Sequence, residues 1–303
     1  MPYTLLETFR KHTVEPNAIT DGYDWNASVA ALFRLGISME DTLRYLHSNK
    51  PEQDDFRRWL DKKCKDSPVS TTETIEDTLS AENLAFWDQN GYVFIKSVIS
   101  KENCEAACNA IWQFLNMNPN DSKTWYTTHE EQRGMMVSFS DHETLNTNRF
   151  SLRIQKAYEQ LYKTPQLYRT IDKVSFNPPE TNSYTFLGSR LHWDVSLKTP
   201  IPYALQGLLY LSDCGSDDGA FHCVPGFHKE IERWLVELQP GENPREKALQ
   251  ILKPIPITGA AGDFIIWNNT LPHCASPNRG SAPRMVQYLT YLPNGYQQAD
   301  EWI

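Results

Sequence analysis

From Phe186 to Leu292 the chain is broken every few residues by Pro, Gly, Asn or Asp, and the apolar runs between the breaks are short. Leu205 to Leu211, Phe264 to Trp267 and Met285 to Leu292 are the clearest of these runs. Apolar stretches of roughly four to eight residues bounded by turn formers read as buried strands. Asp217-Asp218-Gly219 reads as a hairpin turn, and a helix is clear in this half only near His228 to Leu238. Two sets of short strands closing over each other imply a jelly roll. The expected fold class is mainly β with flanking helices, built on a double-stranded β-helix (jelly roll, cupin-like) core with an N-terminal helical extension.

With 303 residues, 40% of them hydrophobic, the chain can form one medium domain and a small appendage. The appendage is residues 1–75 and the main domain residues 76–303. In the appendage, Trp25 to Leu35 carries Val29, Leu32 and Phe33 on one side and stops at Gly36. Ser38 caps a second helix, with Asp41 as its reciprocal partner, and Pro51 starts a third. Residues 65–77 are polar and rich in Ser and Thr, as in a linker. The helical segment is read as a cap on the main domain or on a partner subunit, the latter giving a homodimer or partner contact. In the main domain, Ser80 caps a helix that Gly91 ends, Tyr92 to Ile95 is a strand, and Ser100 caps the next helix. Residues 117–150 are polar and aromatic and read as a surface excursion or, by the family resemblance described next, as part of a substrate lid.

His192 and Asp194 are two residues apart, so on a strand both side chains leave the same face. An imidazole and a carboxylate so placed grip a metal ion from one side. His273, after the Phe264–Trp267 run and a polar turn, is the candidate third ligand. Two histidines and one carboxylate leave the opposite side of the ion open, which suits non-haem Fe(II) that activates O2. Arg284 opens the following strand and offers a planar fork to a dicarboxylate co-substrate. Gln206, polar in an apolar run, needs a partner and is a candidate donor to co-substrate or substrate. Arg149, Arg153 and Arg190 are candidate partners for a substrate carboxylate. Trp193 points away from the metal if the strand is regular, and His222 and His228 are read as structural. Cys104 and Cys108 lie one helical turn apart beside Ile111 and Leu115, a core stripe rather than a metal pair.

Taken together these pieces resemble the phytanoyl-CoA dioxygenase family of Fe(II)- and 2-oxoglutarate-dependent oxygenases. The resemblance rests on Phe86-Trp87-Asp88-Gln89-Asn90-Gly91-Tyr92, His192-x-Asp194, Asp218-Gly219-Ala220-Phe221, Val224-Pro225-Gly226-Phe227-His228, and His273 followed by Arg284. It covers about residues 78–293 and leaves the N-terminal segment unmatched. It implies Fe(II) on His192, Asp194 and His273, and 2-oxoglutarate chelating the iron with its far carboxylate on Arg284. It implies a jelly-roll fold and an O2-dependent reaction that yields succinate and carbon dioxide and hydroxylates an aliphatic carbon. A carboxylate at Asp194 fills the position that a halide needs in related halogenases, so hydroxylation is the expected outcome. Where the family often carries a hydroxyl two residues after the distal histidine, this chain has Ala275, with Ser276 beside it as the candidate second anchor.

The net charge of −9, with no offsetting basic run, argues against nucleic acid and anionic membranes as partners. No leader or spanning segment is apparent, and cysteines scattered singly fit a reducing compartment, so the expected location is cytoplasmic. The same balance argues against a large polyanionic handle; the resemblance, through family members of similar size that hydroxylate free amino acids or small natural products, implies a small-molecule substrate, a free amino acid or a natural-product intermediate. The alternatives are an acyl-CoA or carrier-bound acyl hydroxylase, a non-catalytic metal-binding jelly roll acting as sensor or scaffold, and a Zn hydrolase on the same ligands.

Overall fold

The computed structural model describes residues 3–15, 22–64, 75–188, 190–299 and 301–303. Most of the expected linker, residues 65–74, lies outside the described residues, as does Ser189. The N-terminal segment is four helices: α1 (Tyr3–Val14), α2 (Trp25–Arg34), α3 (Met39–Asn49) and α4 (Gln53–Lys63). Asp24 caps α2 by accepting from the Ala27 amide at 2.9 Å, and Gly36 follows its end in the left-handed region. At α3 the Ser38 hydroxyl accepts from the Asp41 amide at 3.1 Å. The Asp41 carboxylate turns to Arg44 and Lys63 and does not close the expected reciprocal cap. Helix α1 is an addition to the three helices read from the sequence.

Leu6, Phe9, Leu32, Leu46, Phe56 and Leu60 form a core belonging to these helices alone. The bundle also rests on the rest of the chain. Arg34 donates to Asn294 Oδ1 at 2.7 Å and lies over the Tyr168 ring, Arg44 meets Glu131 at 2.8 Å, and Glu40 pairs with Lys173.

The larger part begins with α5 (Ala81–Asn90), β1 (Tyr92–Ile95), α6 (Lys101–Phe114), β2 (Gln132–Arg133), β3 (Met136–Val137), α7 (Glu143–Arg149) and α8 (Leu152–Tyr162). It continues with β4 (Leu167–Arg169), β5 (Val174–Asn177), β6 (Leu205–Tyr210), β7 (Phe221–Cys223), α9 (Ile231–Glu237) and α10 (Pro244–Ile251). The last strands are β8 (Ile255–Ile257), β9 (Phe264–Asn268), β10 (His273–Ala275), β11 (Arg284–Tyr288) and β12 (Tyr291–Pro293). Ser80 and Ser100 cap α5 and α6 as expected.

A seven-stranded antiparallel sheet runs β1-β9-β6-β11-β5-β3-β2, and a three-stranded sheet runs β10-β7-β8. Alternation along the strands decides which layer each side chain enters. Leu205, Leu209, Phe264, Ile266 and Met285 pack with Ala107, Ile111, Ile154 and Tyr158 of the helices on one face. Leu208, Tyr210, Ile265, Trp267 and Val286 pack with Phe221, Cys223 and Ile257 of the small sheet on the other. By the same alternation Gln206, Arg284 and Tyr288 face the small sheet.

Three expectations are corrected. The fold is mixed rather than mainly β, because helices hold more of the described residues than the short strands do. The Asp217–Gly219 turn closes no hairpin, since it leads from β6 in the large sheet to β7 in the small one. The His192–Asp194 segment is not a strand, and its ladder contact is one isolated antiparallel bridge between His192 and His273.

Gly207 faces the helices, and a Cβ there would fall 2.4 Å from the Tyr158 hydroxyl and 2.7 Å from the Leu289 carbonyl oxygen. That hydroxyl donates to the same carbonyl at 2.8 Å, so neither atom is free to retreat. Gly207→Ala is expected to lower unfolding stability by about 1–3 kcal/mol, measured by denaturant titration.

Candidate metal centre and co-substrate site

The bridge at His192 consists of two backbone hydrogen bonds, His192 N–H to the His273 carbonyl at 3.0 Å and His273 N–H to the His192 carbonyl at 2.9 Å. It sets the imidazoles side by side, with ring centroids 4.7 Å apart. Each ring has Nδ1 against the carbonyl two residues earlier, His192 on Arg190 at 2.7 Å and His273 on Leu271 at 3.0 Å. With Nδ1 as the donor, the Nε2 lone pair of each ring is aimed away from the backbone. Both point at Asp194, His192 Nε2 lying 3.4 Å from Oδ1 and His273 Nε2 3.2 Å from Oδ2. One donor atom from each of the three residues lies within 4.8 Å of the others.

Burial pushes the Asp194 carboxyl up, but when the flanking imidazoles are protonated their Nε2–H donation and positive charge outweigh it and hold the group well below the ordinary carboxylate range. Donors about 2.1 Å from an ion and at right angles to each other sit ~3 Å apart, so two neutral imidazoles and one carboxylate at these separations fit a divalent metal.

Further residues hold the site in shape. Gln206 Nε2 donates to Asp194 Oδ2 at 2.8 Å, and Gln206 Oε1 accepts from the Trp267 indole at 3.1 Å. The amide expected to serve co-substrate or substrate is therefore engaged with a candidate ligand. Trp193 turns away, as expected, and its indole donates to the Thr270 carbonyl at 2.8 Å. Arg245 on α10 donates to the Trp193 and Val195 carbonyls at 2.9 and 2.8 Å, which clamps the backbone on both sides of Asp194. Nothing in the sequence pointed to Arg245.

Arg284 is 1% exposed, yet it gives only a long hydrogen bond to the Ser175 hydroxyl, at 3.4 Å, and its Nε has no hydrogen-bond partner among the described residues. A buried guanidinium with unmet donors is costly unless something fills it. It lines the same cavity of about 640 Å³ as His192, Asp194, His273 and Gln206. A dicarboxylate reaching from the metal position to Arg284 fits that vacancy in hydrogen bonding.

Other candidates lie elsewhere. Arg149 is buried outside the cavity lining, with Nη1 on Asn146 Oδ1 at 2.8 Å, Nη2 on the Asp172 carbonyl at 2.7 Å and Nε without a hydrogen-bond partner among the described residues. Arg153 donates to the Ser97 carbonyl at 2.8 Å, and Arg190 is exposed; neither lines the cavity. The Ser276 hydroxyl faces the Ala220 carbonyl at 3.5 Å and is also outside the cavity lining. His222 and His228 contact the Ala220 and Asp88 carbonyls, consistent with packing roles. Of residues 117–150, Arg133, Met135 and Met136 reach the cavity wall on the β2–β3 hairpin.

The family model for phytanoyl-CoA dioxygenase (PhyH) matches residues 87–286, and the chain belongs to that family of non-haem iron, 2-oxoglutarate-dependent enzymes. A Dictyostelium discoideum protein, provisionally named a phytanoyl-CoA dioxygenase, is 22% identical over 261 residues, 69% of this chain and 74% of its own length. The fold is similar to that of the epimerase SnoN, crystallised with Fe3+, alpha-ketoglutarate and nogalamycin RO. That likeness has TM-score 0.50 and 17% identity, covering 70% of this chain and 82% of SnoN. It is also similar to AviO1 from Streptomyces viridochromogenes Tue57, with TM-score 0.53 and 15% identity over 75% of this chain and 100% of AviO1. Among the described residues no helix is long and apolar enough to cross a membrane.

Removing the amide that orients Asp194 tests the arrangement directly. Gln206→Ala is expected to weaken divalent-metal binding about 10- to 100-fold, followed by Co(II) titration of the metal-free protein.

Proposed function

We propose that the protein hydroxylates an unactivated C–H of a small molecule, a free amino acid or a natural-product intermediate, with His192, Asp194 and His273 holding Fe(II) and Arg284 holding 2-oxoglutarate. One observation carries this reading: three metal-donor atoms converge in a cavity that also contains a buried guanidinium with an unmet donor. When bound, the iron and 2-oxoglutarate supply the oxidising chemistry, with O2 as oxidant and succinate and carbon dioxide as by-products.

The chain's own part is positional. The bridge and the Nδ1–carbonyl contacts fix both imidazoles, Gln206 and Arg245 fix Asp194, and Arg284 fixes the far end of the co-substrate. Trp267, Phe221 and Leu208 give this part of the cavity apolar walls, which limit water around the reacting carbon. The two packed antiparallel sheets support the double-stranded β-helix reading of the core.

A cavity of about 640 Å³ that must also hold the co-substrate suits a compact molecule better than a long acyl chain. The likeness to an epimerase makes product analysis part of the test. A hydroxylated product carrying one atom from O2 supports the reading, and a stereoisomer of the substrate with no added oxygen replaces hydroxylation with epimerisation.

Anaerobic Fe(II) and 2-oxoglutarate together are expected to give the weak visible charge-transfer band of the chelate. Its absence from the metal-loaded protein would favour the scaffold or hydrolase alternatives. Arg284→Lys, which keeps the charge and loses the fork, is expected to raise the KM for 2-oxoglutarate about 10- to 100-fold, read from succinate release. An unchanged KM would remove Arg284 from the assignment.

A further inference from the structure

The segment that carries Asp194 is held at both ends. At one end is the His192–His273 bridge. At the other, the Leu197 amide donates to the Ile303 carbonyl oxygen at 3.2 Å and the Ile303 amide donates to the Ser196 hydroxyl at 3.2 Å. Lys198 pairs with Glu301 at 2.8 Å alongside them. Residues 301–303 therefore lie along residues 196–198, although Ile303 and Ser196 are 107 positions apart in sequence.

Arg245 ties the middle of the segment to the same place. Its Nη1 donates to the Trp193 carbonyl at 2.9 Å, and its Nη2 donates to the Val195 carbonyl at 2.8 Å and to the Ile303 carbonyl at 3.1 Å. Two carbonyls two residues apart that meet one planar fork fix the backbone between them, and that backbone sets where the Asp194 carboxylate points. The root of the arginine is fixed as well, because Asn243 caps α10 by accepting from the Arg245 and Glu246 amides at 2.8 and 3.2 Å. The long side chain beyond that root keeps its rotamer freedom unless something holds its tip. Residues 301–303 supply the hold: the Ile303 carbonyl takes one donor, and the Trp302 ring lies under the guanidinium, 5.1 Å from ring centroid to Cζ. Trp302 is largely exposed and belongs to none of the three apolar cores, so their packing does not call for an indole there.

We propose that residues 301–303 are a strap on the metal centre: Trp302 and the Ile303 carbonyl hold Arg245, and Arg245 holds the backbone that aims Asp194 at the ion. This rests on the metal-ligand assignment made within the oxygenase reading above. Arg245 and Trp302 are positioning residues, and neither lines the cavity.

The test uses the whole chain, stripped of metal and titrated with Co(II), with the visible Co(II) bands and the unfolding midpoint recorded for each variant. Trp302→Ala is expected to weaken Co(II) binding about 3- to 10-fold while leaving the unfolding midpoint in place. Trp302→Phe keeps an aromatic face under the guanidinium and is expected to stay within about 2-fold of the unsubstituted chain. Arg245→Lys keeps the charge but cannot span the carbonyls, and is expected to weaken binding about 10- to 100-fold and to alter the Co(II) bands. Trp302→Ala combined with Arg245→Lys is expected to bind Co(II) no more weakly than Arg245→Lys alone, because the strap acts through the arginine.

Unchanged Co(II) affinity in Trp302→Ala, a loss that Trp302→Phe does not restore, or additive losses in the double variant would overturn the strap. So would a loss of affinity matched by a fall in the unfolding midpoint. The oxygenase reading is judged apart from this, by the chelate band of the unsubstituted chain with Fe(II) and 2-oxoglutarate. Co(II) affinity that depends on Trp302 in a chain that never gives that band would keep the strap and remove the oxygenase reading. No Co(II) binding by the unsubstituted chain would remove both.

Discussion

The site depends on one pair of backbone hydrogen bonds, those exchanged by His192 and His273. Around His192 the chain is neither helix nor strand, so nothing periodic dictates where its side chains go. The bridge makes one residue of this segment act as an added strand beside β10. Imidazoles separated by 81 positions in sequence then share an orientation, and the Nδ1–carbonyl contacts set both rings alike. Arg245 and the Trp193 indole hold the adjoining backbone against α10 and the Thr270 turn. Without those side contacts a single bridge would be a weak hinge for a site that needs fixed donors.

The large sheet performs two tasks through one alternation. Odd positions of β6 press Leu205, Gly207 and Leu209 against helices, while even positions offer Gln206, Leu208 and Tyr210 to the cavity side. In β11 the helix side carries a polar residue, Gln287, whose amide is satisfied by Asn148 and the Leu145 carbonyl. The cavity side carries Arg284. A slip of one residue in β11 would exchange these two, burying a guanidinium among helices and removing the fork from the cavity.

Much of this was legible because it is local. Ser80, Ser100 and Gly91 mark helix ends by chemistry acting within a few residues, and the apolar runs at Leu205 and Phe264 mark strands that are buried on both faces. His192, Asp194, His273 and Arg284 stood out by residue type and order. What could not be read depends on packing between distant segments. Arg149 and Arg153 looked equivalent to cavity arginines until their carbonyl partners fixed them elsewhere. Arg245 carries no motif, and its importance comes from what the start of α10 happens to face. Gln206 was singled out correctly as needing a partner, but which partner depended on how near Asp194 came to lie.

The N-terminal bundle has its own core, yet Glu40 on α3 grips Lys173, a residue of the cavity wall, and Arg44 grips Glu131 just before the β2–β3 hairpin. Two ion pairs therefore join the bundle to the larger part close to the cavity wall, and among the described residues it supplies none of the three metal-donor atoms. A substitution at Glu40 would reach that wall through Lys173 without touching a donor atom.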